Sequence, residues 1–256
     1  MTAAEPTALD WSVLALGGLL IGFSKTAFGG MGTMAAVAFA LVLPTRASTG
    51  TILPLLLVGD VIAVALYRRH ADRGVLLRLL PSLVVGMLVG VAFLRAVDDL
   101  VLRRTLGVLL LVLALLQVLD VLRHRGSARR EAPEHSPARA RTLAALAGGG
   151  TGFSTMVANA AGPISSMYLL LMRVPKMAFV GTVAWLFFLL NVVKVPFSAG
   201  LGLLTAESLR IDVPLVPAVL VGAAVGSRVL RLVPQAVFER MTLALTAVAA
   251  VLLLVT

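Results

Sequence analysis

Apolar runs of membrane length alternate along this chain with short polar punctuation. Ser48 to Tyr67, Val75 to Val97 and Val101 to Leu122 each reach the ~20 residues that a bilayer core demands. The charged loop Arg68 to Gly74 and the Asp98-Asp99 pair, a loop and N-cap signal, separate them. Beyond a hydrophilic connector the order returns, with spans expected at Met177 to Phe197, Val213 to Val233 and Ala236 to Thr256. Arg173-Val174-Pro175-Lys176 reads as a turn and Ser198 to Asp212 as a loop.

A broken apolar stretch stands in front of each set. Trp11 to Phe23 is short for a span; the glycine-rich segment Gly22 to Gly32 interrupts it, and Thr33 to Leu43 leads to a turn at Pro44-Thr45-Arg46. In the second half a short run enters Gly152 to Gly162 and another continues to Met172. The pattern predicts an all-α, polytopic integral membrane protein. Residues 1–122 form a first repeat, 123–141 an arginine-rich linker and 142–256 a second repeat, each repeat a broken helical hairpin plus three transmembrane helices.

The repeat is visible residue by residue. Gly22, Phe23, Ser24 and Gly32 match Gly152, Phe153, Ser154 and Gly162 at an offset of 130. Pro44, Gly50, Thr51 and Asp60 face Pro175, Gly181, Thr182 and Asn191 at 131, and Pro81, Gly86, Gly90 and Arg104 face Pro217, Gly222, Gly226 and Arg240 at 136. The offset changes only between segments, as expected of a duplication whose loops tolerate insertion. Gly86 and Gly90 form a small-xxx-small face for close helix packing.

Composition narrows the class. The chain of 256 residues is 59% hydrophobic and 13% charged, with mean hydropathy +1.02. A soluble domain carries roughly 25% charged residues, so this chain has too little polar surface to cover itself in water. The net charge of +10 would point to nucleic acid in a soluble protein, but here the basic residues gather in loops between spans, and no nucleic-acid partner is expected. With no cysteine there are no disulfides or thiolate sites. No Lys or Arg precedes the first apolar run, which therefore lacks the n-region of a signal peptide and is expected to be retained.

Charge also orients the halves. With the second half inverted, 15 basic residues fall on the cytoplasmic side, six of them in the linker, and 5 outside (Arg46, Arg95, Arg103, Arg104 and Arg210); Lys25 and Lys194 lie within the membrane. A parallel arrangement of four crossings per half gives 11 against 9. The inverted repeat is therefore expected, with both termini outside; whether each hairpin crosses or re-enters is left open by its short arms.

The polar residues inside apolar segments are the candidates for chemistry. A lysine at the bilayer centre costs about 2.5–3.5 kcal/mol on insertion scales. Lys25, beside the first break, reads as a cargo cation or as a snorkelling side chain; Lys194, near the end of its span, reads first as snorkelling. Asp60 reads as a coupling carboxylate or a structural ion-pair partner, and its counterpart Asn191 cannot titrate. Ser24, Thr26, Ser154, Thr155 and Asn159 cluster at the breaks with the backbone N–H groups of Gly29 and Gly30. A helix restarting after a break presents a positive dipole end, so the set forms an anion site, with Lys25, Asn191 and Lys194 as further substrate-binding candidates. No carboxylate cluster offers a cation site. His70, His124 and His135 all lie in hydrophilic loops, and no Walker, HExxH or Cys/His pattern occurs, so no enzyme, metal or cofactor is expected.

These residues together resemble the sulfite exporter TauE/SafE family. The resemblance rests on the duplicated Gly22–Gly32 segment, on Leu53-Pro54-Leu55-Leu56-Leu57-Val58-Gly59-Asp60 followed by Tyr67-Arg68-Arg69-His70, and on the Leu80-Pro81 span with Gly86 and Gly90. It implies a multi-pass secondary transporter of the bacterial cytoplasmic membrane, whose partners are the lipid bilayer and a small sulfur-containing or organic anion such as sulfite, thiosulfate or a sulfonate. A channel-like anion pore and a non-transporting scaffold subunit are the alternatives. The second break carries Met156, Val157 and Asn159, which leaves the lysine-bearing first break as the expected dominant half.

Overall fold

Polar caps set the helix starts. Thr7 and Asp10 cap each other's backbone at the start of α1 (Ala8–Thr26), Asp72 accepts from the Val75 N–H at the start of α4 (Arg73–Ala96), and Thr205 and Ser208 form the same reciprocal box at α8 (Ala206–Leu232). Between them lie α2 (Gly32–Val42), α3 (Thr45–Tyr67), α5 (Pro137–Ala158), α6 (Ala161–Leu171) and α7 (Lys176–Gly200). The computed structural model describes residues 7–27, 32–43, 45–98, 101, 105, 137–159, 161–235, 237, 238, 240–242 and 244, and among these it has no strand. Residues 106–136 and 245–256, with most of the third and last expected spans and most of the linker, lie outside the described residues. Asp98 does act as an N-cap, accepting the Val101 N–H at 2.8 Å.

Five of the described helices are long and apolar enough to cross a membrane: α1, α3, α4, α7 and α8. Their outward faces are as apolar as their inward ones, with Leu77, Val85, Val213 and Val221 all more than half exposed. Lipid is the matching solvent for such a surface, so hydrophobicity does not choose the buried face and small residues do.

The small residues pair across the halves. A Cβ added at Gly22 on α1 would lie 1.9 Å from the Val219 carbonyl oxygen on α8; one at Gly152 on α5 would lie 2.1 Å from the Leu83 carbonyl on α4. Gly86 meets Gly149, and Gly222 meets Leu19, in the same way. Each contact is the repeat equivalent of the other. Two apolar clusters result: Leu14, Ile21, Phe39, Leu55, Leu215 and Val219 join α1, α2 and α3 to α8, while residues such as Leu79, Leu83, Met156, Leu169 and Phe179 join α4 to α5, α6 and α7. Each half lends a long helix to the other half's bundle.

The interruptions fall inside the Gly22–Gly32 and Gly152–Gly162 segments, where helices end at Thr26 and Ala158; Gly22 and Gly152 themselves lie inside those helices as contact surfaces. Two expectations are corrected. Trp11 to Phe23 is part of a 19-residue helix, about 28 Å long at 1.5 Å per residue, while α2 at 11 residues spans only about 16 Å. The expected 198–212 loop is Leu201 to Thr205 alone, because the Thr205–Ser208 box starts α8 early and Pro214 and Pro217 are carried within it.

The hairpin path follows from contacts. Ser24 faces Gly32 and Gly17 faces Phe39, so α2 runs back along α1; Gly59 of α3 lies against Ile21 and Lys25, and the Tyr67 hydroxyl donates to the Thr26 carbonyl at 2.9 Å. α1 and α3 thus start at the same end, with α2 running back between them.

Candidate functional site

The ends of the two hairpins meet beside α3 and α7. A cavity of about 30 Å³ lies there, walled by Ser24, Lys25 and Gly32 from the first hairpin and by Thr155, Asn159 and Gly162 from the second. Leu56, Phe187 and Asn191 close its sides. Gly32 opens α2 and Gly162 lies in the first turn of α6, so both helix starts reach the cavity with their positive ends.

Lys25 does not snorkel. It is 7% exposed, its Nζ lies 2.6 Å from Asp60 Oδ1, and the ammonium stands 4.5 Å from the Phe187 ring centroid, within cation–π range. Its stem crosses α3 over Gly59, where an added Cβ would come within 2.9 Å of Lys25 Cγ. Asp60 is fully buried and takes a second bond at 2.6 Å from Asn191 Nδ2.

Lys194 is buried as well, at 1% exposure, and the snorkelling expectation fails for it too. Its ammonium donates to the Thr155 carbonyl at 2.8 Å and to Asn159 Oδ1. Thr155 also receives the Asn159 N–H at 3.1 Å as α5 ends. Asn159 has φ of 51°, a left-handed conformation that Asn tolerates better than most residues. Lys194 thereby covers the negative end of α5, and it stands behind Asn159 and Thr155 rather than on the cavity wall.

Of the residues expected at the site, Ser24, Lys25, Thr155, Asn159 and Asn191 line the cavity, and Asp60 and Lys194 bond directly to members of that wall. Thr26 is placed differently: its hydroxyl donates to Gly22 and, at 2.9 Å, to the Ala223 carbonyl, joining α1 to α8. Ser154, fully buried, donates to the Thr151 carbonyl on its own helix and is not among the lining residues. Gly29 and Gly30 lie outside the described residues. Sequence reading missed Gly59 and Phe187. The glycine next to Asp60 was a usable signal; Phe187 had none, being one aromatic in an apolar run. Among the described residues no group of His, Cys, Asp or Glu could hold a metal ion.

A multi-pass helical bundle whose two hairpin ends enclose a buried, charged cavity defines a membrane transport protein. The family model for the sulfite exporter TauE/SafE matches residues 14–253, nearly the whole chain, and the chain belongs to that family of transporters. No curated protein and no solved structure gives a match.

Proposed function

We propose that this protein is a secondary transporter that exports a small sulfur-containing or organic oxyanion, such as sulfite or a sulfonate, across the bacterial cytoplasmic membrane. The observation that carries this reading is the convergence of two helix N-termini and the buried Lys25 on one cavity, with the buried Lys194 bonded to two residues of its wall. Positive dipole ends and ammonium groups in a low-dielectric interior match an anion and repel a cation. Ser24, Thr155, Asn159 and Asn191 supply hydrogen bonds, Lys25 supplies charge at the wall, and Asp60 holds Lys25 in place. At about 30 Å³ the cavity accepts about one water. A polyatomic anion enters when the hairpin ends part, which is the motion alternating access requires.

Two inverted repeats build the carrier in this reading. The repeat-equivalent helices α3 and α7 run antiparallel: Gly50, near the start of α3, packs on Leu203 beyond the end of α7, and Gly181, near the start of α7, packs on Tyr67 and Ala71 at the end of α3. That relation, with the positive charge on one side, supports an axis in the membrane plane. Export then runs down the membrane potential, which drives negative charge outward, with no coupling ion required.

Counterflow of radiolabelled sulfite in proteoliposomes tests the proposal. Accelerated uptake against unlabelled internal sulfite is expected of a carrier. Flux without counterflow indicates a pore, and absence of flux for sulfite, thiosulfate and sulfonates defeats the transport reading of this site.

A further inference from the structure

Four ammonium or carboxyl side chains are buried among the described residues: Lys25, Asp60, Lys194 and Asp212. The first three form one electrostatic unit. Lys25 is cancelled by Asp60 at 2.6 Å, whereas among the described residues the ammonium of Lys194 bonds to neutral oxygens, the Thr155 carbonyl and the Asn159 amide. Among the described residues the charges that act on Lys194 are Lys25 and Asp60. Asp212, on α8, takes no part in this unit.

We infer that the site holds a surplus of one positive charge, carried by Lys194, and that it therefore selects monoanions over dianions of similar size. The inference rests on the oxyanion reading above and adds a rule for the cargo's charge. A monoanion in the cavity brings the buried unit to neutrality. A dianion leaves a net negative charge away from water, which is costly in a low-dielectric interior. Lys194 acts through Asn159 and Thr155, which it holds at the wall, and through its field. The cargo is thus a singly charged oxyanion such as hydrogensulfite or a sulfonate, in preference to the sulfite, sulfate or thiosulfate dianion.

Competition against labelled sulfite counterflow, with methanesulfonate as fixed monoanion and sulfate as fixed dianion, tests this. In the wild-type protein methanesulfonate is expected to compete at about tenfold lower concentration than sulfate, or less. Asp60→Asn raises the surplus to two, and the preference is expected to move towards sulfate by a similar factor. Lys194→Gln removes the surplus and is expected to weaken methanesulfonate by more than about tenfold. Equal or better competition by sulfate in the wild type overturns the inference without any variant, as does an unmoved preference in folded Asp60→Asn. Loss of counterflow for every anion in the wild type overturns the oxyanion reading itself, and this inference with it.

Discussion

Asp60 and Asn191 occupy the same position in the two halves of the chain and are hydrogen-bonded to each other, Asn191 Nδ2 to Asp60 Oδ2 at 2.6 Å. The bond is also where the halves differ: one partner is an acid paired with Lys25, the other an amide that supplies the hydrogen.

The Lys25–Asp60 pair is expected to be strongly non-additive. Removing one partner from a buried pair costs about 3–5 kcal/mol, because the other charge is left uncompensated. Lys25→Met and Asp60→Leu should each lower the melting temperature in detergent sharply, and the double variant should lose less than the sum of the two. Additive losses in that double-mutant cycle would show that the pair contributes no coupling.

Gly22 and Gly152 are expected to resist even alanine. A Cβ at either position would lie about 2 Å from a backbone carbonyl of the facing helix, and overpacking of this kind costs about 1–3 kcal/mol or more. Gly200→Ala is the control, since no atom lies within 4 Å of its added Cβ. Thermal melting of the three variants should lower the first two and leave the third at or slightly above wild type.

Asn159 combines a left-handed backbone with a hydrogen bond to Lys194. Asn159→Gly keeps the backbone and loses the side chain, so it should fold and lose sulfite counterflow. Asn159→Ala adds about 1–2 kcal/mol of backbone strain and should melt lower than the glycine variant. Wild-type counterflow in Asn159→Gly would remove this residue from the site.

Thr26→Val deletes the α1–α8 bond to Ala223 without touching the cavity wall. A loss of about 0.5–1.5 kcal/mol in stability is expected, with the apparent affinity for sulfite unchanged. A change in affinity at wild-type stability would return Thr26 to the substrate.

The absence of native cysteines makes topology directly testable. In the inverted arrangement Ala206→Cys, at the exposed start of α8, should react with an impermeant maleimide in intact cells, and Arg69→Cys only after lysis. The reverse labelling pattern would refute that orientation.

Much of this was legible along the chain because the bilayer imposes length and the repeat imposes spacing. The five spans of the described residues, the Gly86 and Gly90 faces and the polar residues that gather at the hairpins all follow from local composition and spacing. Helix ends were less legible. Gly22 looked like a break because glycine is read as a breaker, yet its missing Cβ serves a neighbour 197 positions away in sequence, Val219.

By itself the sequence determined the class: a polytopic helical chain with lysines, an aspartate and hydroxyls placed where lipid would reject them. Tertiary structure alone decided the partners. It set Lys25 on Asp60 and Lys194 on Asn159, turned Thr26 to packing, and exchanged the long helices between halves. The reason is physical. Periodicity and length act within a segment, whereas ion pairing and close packing depend on which backbone approaches within a few ångströms, and in lipid no hydrophobic stripe marks that face beforehand.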